Sequence, residues 1–150
     1  MLHRAFGDLG RRGLRCSCVE QSLETTLQRI RRGRCYLALQ HRSIVGTMTL
    51  EAPDSQADCA WYRQPRVASL HQLAVDPRMH GLGCGKSLLR VAQSWARRSG
   101  YVQLALDTPS PAAELVGFYQ GQGFRVVDRV QLAGRAYEST VLSKTLIPGH

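Results

Sequence analysis

Residues 73–89 read LAVDPRMHGLGCGKSLL: an apolar strand ending at Val75, a turn through Asp76 and Pro77, glycines at 81, 83 and 85, then an amphipathic segment. Glycines at alternate positions leave successive backbone N–H groups free of side chains. A helix that starts directly behind them adds positive partial charge. Together these features make a cradle for an anion, of the kind that holds a phosphate or pyrophosphate. A strand-to-helix turn with no ligand needs one glycine, and this turn has three.

Two nucleotide readings fail on spacing. A P-loop requires Gly, four residues, then Gly-Lys-Ser or Gly-Lys-Thr. Counting back from Gly85-Lys86-Ser87 places His80 where the first glycine belongs, and starting from Gly81 leaves the loop one residue short. A dinucleotide fingerprint requires Gly-x-Gly-x-x-Gly and an acidic residue about 20 positions on. The pattern here is Gly-x-Gly-x-Gly, one residue short of that spacing.

The surrounding pattern is that of one mixed α/β domain over residues 1–150, with 1–21 irregular or incomplete. SLETTLQRIRRG (22–33) carries Leu23, Leu27 and Ile30 at helical spacing, with Ser22 as N-cap and Gly33 as stop. CYLALQ (35–40) and IVGTMTLEA (44–52) form a hairpin, and 53–66, with Pro53 and Pro65, is an irregular loop. VASLHQLAV (67–75) is a strand, and helical spacing runs from Gly83 to Arg98. YVQLALD (101–107) is the next strand, with Val102, Leu104 and Leu106 on one face. Ser110-Pro111 then reads as the start of a short helix carrying Leu115, Phe118 and Tyr119. FRVVDRV and AYESTVLSKTL close the chain as a second hairpin. The order α-β-β-β-α-β-α-β-β predicts a single mixed sheet flanked by helices.

At 150 residues and 43% hydrophobic, the chain supports one core. No apolar run is long enough to span a bilayer, and MLHRAFGDLGRRG has no signal-type apolar centre. Five cysteines, Cys16, Cys18, Cys35, Cys59 and Cys84, form no disulfide framework, which predicts a reduced, cytoplasmic protein. Neither they nor the histidines show metal-ligand spacing, so no metal is expected. The net charge is +9, and of the 20 basic residues only Lys86 and Lys144 are lysine. Among the densest runs, Arg11–Arg15 and Arg29–Arg34, no aromatic is interleaved. That disfavours nucleic acid and favours a basic surface that attracts an anionic ligand.

VDPRMHGLGCGKSLL resembles the coenzyme A motif of the Gcn5-related N-acetyltransferases (the GNAT superfamily): Gln or Arg, two residues, Gly, one residue, Gly or Ala. Gly83 and Gly85 match the two small positions, and His80 stands at the first. Downstream, GFYQGQGF (117–124) is similar to the family's signature of a tyrosine four residues before Gly-Phe, with Tyr119, Gly123 and Phe124 matching. IVGTMTL resembles the family's second and third strands. The likeness covers roughly 22–145 and implies a mostly antiparallel mixed sheet of the acyl-CoA N-acyltransferase type. The family usually opens with a strand and a helix, and residues 1–21 do not alternate as a strand. A sheet lacking its first strand, or completed in a homodimer, is therefore expected.

The resemblance implies acetyl-CoA as co-substrate and a primary amine of a small molecule or peptide as acceptor, with no membrane partner. It places the pantetheine arm along Leu73, Ala74 and Val75. The pyrophosphate falls on His80, Gly81, Leu82, Gly83, Cys84, Gly85 and Lys86. Histidine at position 80 lacks the arginine fork, which leaves most phosphate contacts to backbone amides, and Ala112 replaces the asparagine often found seven residues before the tyrosine. Tyr119 is the implied general acid to the departing thiolate. His71 is the candidate base, read as sharing a strand face with Leu73 and Val75, with Glu51 as the alternative. Trp61, Tyr62 and Arg63 are candidates for lining the acceptor site. Two other functions compete: a non-catalytic acyl-CoA-binding module of the same fold, and a basic nucleic-acid binder.

Overall fold

The computed structural model describes residues 34–40, 43–77 and 83–146, so the helix expected at 22–33 and the segment 1–21 lie outside the described residues. Strands β1 (Arg34–Gln40) and β2 (Ser43–Glu51) form the expected hairpin. A single 3-10 turn (Ala60–Arg63) then precedes β3 (Val67–Val75). Helix α1 (Cys84–Arg98) follows the glycine turn and leads to β4 (Gln103–Pro109). Helix α2 (Ala113–Gly121), β5 (Arg125–Val130) and β6 (Ser139–Thr145) complete the described chain. The described strands form one mixed sheet in the order β1-β2-β3-β4-β6-β5. Every neighbouring pair is antiparallel except β3 and β4, which are parallel. That pair needs a crossover, and α1 provides it.

Alternation along the strands sorts the core onto two faces. Met48, Leu50, Ala68, Leu70, Leu104, Leu106 and Leu142 meet Leu88, Leu89, Ala92 and Ala96 of α1 on one face. Val67, Ala105 and Val141 point the other way, where Cys59 and Tyr62 cover them. The central strands are apolar on both sides because both faces are covered. Val102 departs from the expected pattern: β4 begins at Gln103, two residues past the expected start, and Val102 is 37% exposed.

The start of α2 also differs from expectation. Ser110 is not its N-cap; Ala112 holds that position and makes no side-chain cap bond. Strand β4 runs on to Pro109, which leaves Ser110 beside β6. Its hydroxyl lies 2.7 Å from Thr140 Oγ1, and its N–H donates to the Glu138 carbonyl.

Between the pairs Thr47↔Ala74 and Thr49↔His71 the register shifts by one, so Gln72 and Leu73 together face Met48. Gln72 takes φ 55 to absorb the extra residue. Such a bulge bends its strand and re-aims the side chains beyond it. No described helix is long and apolar enough to cross a membrane.

Leu142 is fully buried on β6 and pairs with Leu106 on one side and Val126 on the other. Leu142→Ala should cost about 2–5 kcal/mol, read as a lower urea midpoint with an unchanged slope. A loss under about 1 kcal/mol would mean that this face is not close-packed.

Candidate active site

The two parallel strands pair at Val67↔Gln103, Ala68↔Leu104 and Ser69↔Ala105, and no pair follows. Past Ser69, β3 keeps its ladder only with β2 among the described residues. Leu73, Ala74 and Val75 therefore lie along the arm of a fork whose other arm is β4. Just beyond this arm, Gly83 precedes the first residue of α1 and adopts φ 83. A side chain there would be strained by this left-handed backbone, while the space beside it is open, with nothing within 4 Å of an added Cβ. A Cβ on Gly85 would lie 3.5 Å from the Phe118 ring, so the small residue lets α2 approach the first turn of α1. No acidic side chain occupies that turn, and Lys86 is exposed on it. An open approach, a helix N-terminus without opposing charge and an exposed lysine suit a pyrophosphate. His80, Gly81 and Leu82 lie outside the described residues. Burial raises the Cys84 thiol above its ordinary value, which makes it a poor nucleophile.

Phe118 and Tyr119 extend from α2 into the core on the α1 face, with ring centroids 5.2 Å apart. Tyr119 is 8% exposed, and its hydroxyl makes no hydrogen bond with another described residue. Burial, with a smaller push from the Asp107 carboxylate, raises its phenol well above the ordinary range. The proton thus stays on the oxygen at neutral pH, as a donor requires and a base does not.

His71 is not on the face of Leu73 and Val75. The bulge at Gln72 reverses the alternation: Leu73 and Val75 join Ala68 and Leu70 on the α1 face, while His71 joins Ser69 on the opposite one. His71 Nε2 lies 2.8 Å from Ser69 Oγ and 3.4 Å from Glu51 Oε2. The two candidate bases are thus one pair, because Thr49↔His71 and Glu51↔Ser69 are consecutive pairs on the same face. The pair can hold a proton, with the carboxylate stabilising the imidazolium.

Of the three loop candidates only Tyr62 reaches this group. Its ring packs edge-on to His71 with centroids 5.2 Å apart, and its hydroxyl donates to Asp107 Oδ1 at 2.6 Å. Trp61 packs against the second core cluster, and Arg63 donates to the Ala57 carbonyl in an exposed position. Sequence reading missed Asp107 and Arg135. Arg135 Nη1 donates to Asp107 Oδ2 and, at 3.3 Å, to Ser139 Oγ. These residues are 28 positions apart, and no local pattern joins them. Among the described residues no group of His, Cys, Asp and Glu could hold a metal ion.

Residues 10–124 match the Acetyltransferase (GNAT) family, and the chain belongs to that family. It is 32% identical over 94 residues to human N-acetyltransferase 8B; the match takes in 62% of the chain but only 39% of the human protein. It is 26% identical over 148 residues to the S-(2-succino)cysteine N-acetyltransferase of Bacillus subtilis, covering 95% of the chain and 85% of that protein. The fold is shared with a GNAT family acetyltransferase from Elizabethkingia anophelis, a structure with acetyl-CoA bound. The TM-score is 0.67 at 22% identity, over 83% of this chain and 84% of the other. The chain thus has both the family and the fold of the GNAT acetyltransferases.

Burial raises both the Tyr62 and Tyr119 phenols. Above about pH 10 the unfolded chain gives up these protons while the folded chain keeps them. Stability arising from these two groups should be level below that pH and decline as pH rises beyond it. Tyrosinate absorbance of the native protein should retain a late component that rises only on unfolding, and Tyr119→Phe should remove part of it. Complete ionisation of the native protein at the ordinary tyrosine midpoint would contradict this reading.

Proposed function

We propose that this protein moves the acetyl group of acetyl-CoA directly to a primary amine. The observation that carries the reading is the fork between β3 and β4, with the glycine-led N-terminus of α1 beyond one arm and Tyr119 in the core on the α1 face. Acetyl-CoA, as co-substrate, supplies the activated acetyl group in its thioester. Leu73, Ala74 and Val75 offer main-chain groups to the pantetheine arm as a neighbouring strand would. His80 through Lys86 hold the pyrophosphate, with Gly81, Leu82, Gly83, Cys84 and Gly85 acting through their amides.

The amine nitrogen bonds the acetyl carbon, and the carbon–sulfur bond breaks. His71, backed by Glu51, takes the proton that the amine loses. Tyr119 gives its phenol proton to the departing sulfur and is reprotonated from solvent. The transfer passes through no acyl-enzyme, since neither motif supplies an activated nucleophile and burial raises the Cys84 thiol.

Among the described residues, the face opposite α1 pairs Glu51 with His71 and Asp107 with Arg135, so each carboxylate already has a cationic or ionisable partner. This suits a compact amine better than a polycation. Likeness to a relative that acts on S-(2-succino)cysteine makes that compound the first acceptor to try, followed by free amino acids and short peptides.

Acetyl-CoA at about a hundred times its Kd should stabilise the fold by about 2.7 kcal/mol, whereas ATP with magnesium should leave Tm unchanged. No shift with acetyl-CoA would remove the cofactor assignment. Binding without acetylation of any amine would favour a non-catalytic module instead. Tyr119→Phe should keep the KM for acetyl-CoA and lower kcat by about 10–100-fold. Full turnover in that variant would remove Tyr119 from the reaction.

A further inference from the structure

We propose that Tyr62 is a positioning residue of the transfer reaction, lying across the fork and tying the imidazole of His71 on β3 to the carboxylate of Asp107 on β4. The proposal rests on His71 being the proton acceptor. Ser69↔Ala105 is the last pair joining the two strands. Two residues further along each strand, on the same face as that pair, come His71 and Asp107. From this point no backbone ladder sets the distance between the strands. Tyr62 spans the gap instead, its ring against His71 and its hydroxyl 2.6 Å from Asp107 Oδ1.

Both ends of this bridge are anchored. The 3-10 turn is tied back by Tyr62 N–H to the Cys59 carbonyl and by Asp54 N–H to the Tyr62 carbonyl, each at 3.1 Å. Cys59 is buried at the base of the turn. On the far side Arg135 holds the other Asp107 oxygen and reaches Ser139 on β6. The Asp107–Arg135 pair is largely removed from solvent, with the side chains 6% and 16% exposed. Burying an ion pair and a phenol is costly compared with a phenylalanine among apolar neighbours. Packing alone does not call for this network.

Among the described residues, those facing His71 include Glu51 from β2, Ser69 from its own strand, and Tyr62 from the 3-10 turn, with Asp107 of β4 behind the Tyr62 hydroxyl. Tyr62→Phe keeps the ring and removes the proton donated to Asp107. The carboxylate then presents a less neutralised charge toward His71, which favours the imidazolium.

The test is an NMR titration of the His71 imidazole in the full chain, assigned by its loss in His71→Gln. In Tyr62→Phe the midpoint should move upward by about half a pH unit. A folded Tyr62→Phe with an unmoved His71 midpoint overturns the coupling. If Tyr62→Phe does not fold, Asp107→Asn is titrated instead. Removing the charge should lower the midpoint, and an unchanged midpoint overturns the proposal equally.

Turnover is then measured with acetyl-CoA and S-(2-succino)cysteine, or with whichever amino acid or peptide of the acceptor panel releases coenzyme A fastest. Tyr62→Phe should lower kcat by about tenfold, leave the KM for acetyl-CoA unchanged, and move the acid limb of the kcat profile upward. The double variant Tyr62→Phe/His71→Gln should be no slower than His71→Gln alone. Additive losses would make Tyr62 a merely structural residue and overturn the proposal. Full turnover in His71→Gln is a separate failure, that of the base assignment, whatever the NMR titration shows.

Discussion

The parting of β3 and β4 after three paired residues is the constraint on which the rest of the structure depends. A parallel pair in the middle of a sheet would ordinarily continue its ladder to the strand ends. Here the ladder is given up, and each arm is stabilised by something else. Strand β3 keeps its bonds to β2 and packs Leu73 and Val75 onto the α1 face. Strand β4 remains fully paired with β6 from Gln103 to Pro109. The separation therefore costs backbone bonds only along the two edges that face each other across the gap.

The fork also divides the chemistry between two faces. On the α1 side Tyr119 sits among Leu106, Phe118 and Phe124, in surroundings that keep its phenol protonated. On the other side Glu51, Ser69, His71, Tyr62, Asp107 and Arg135 form a polar group with charges of both signs. The two faces thus differ in kind, apolar around the Tyr119 phenol and ionic around the His71 imidazole. The Asp107 carboxylate joins the two halves, since its charge is felt at Tyr119 while its oxygens hold Tyr62 and Arg135.

Much of the architecture is legible from spacing. Strand β3 begins and ends where VASLHQLAV does, and α1 starts one residue past Gly83, because apolar periodicity and glycine placement are local properties. Sequence reading fails where alternation is interrupted. Nothing in HQLAV marks Gln72 as an extra residue, since a bulge is set by what the neighbouring strand presents and not by the bulged residue itself. One uncounted residue moves His71 to the opposite face and makes partners of the two rival candidates for the base, His71 and Glu51. The expected cap at Ser110 fails for a similar reason, because β6 offers its hydroxyl a better partner than the helix does.

By itself the sequence determined the glycine-rich turn, the strand leading into it and the tyrosine before Gly123-Phe124, and hence the family. Each of these rests on residues within about one turn or one strand of each other, where steric freedom and periodicity decide the outcome. Only the tertiary structure decided which side chains share the face opposite α1. Tyr62 meets Asp107 across 45 residues and Arg135 meets it across 28. Those meetings follow from strand order and register, which depend on how the whole sheet pairs.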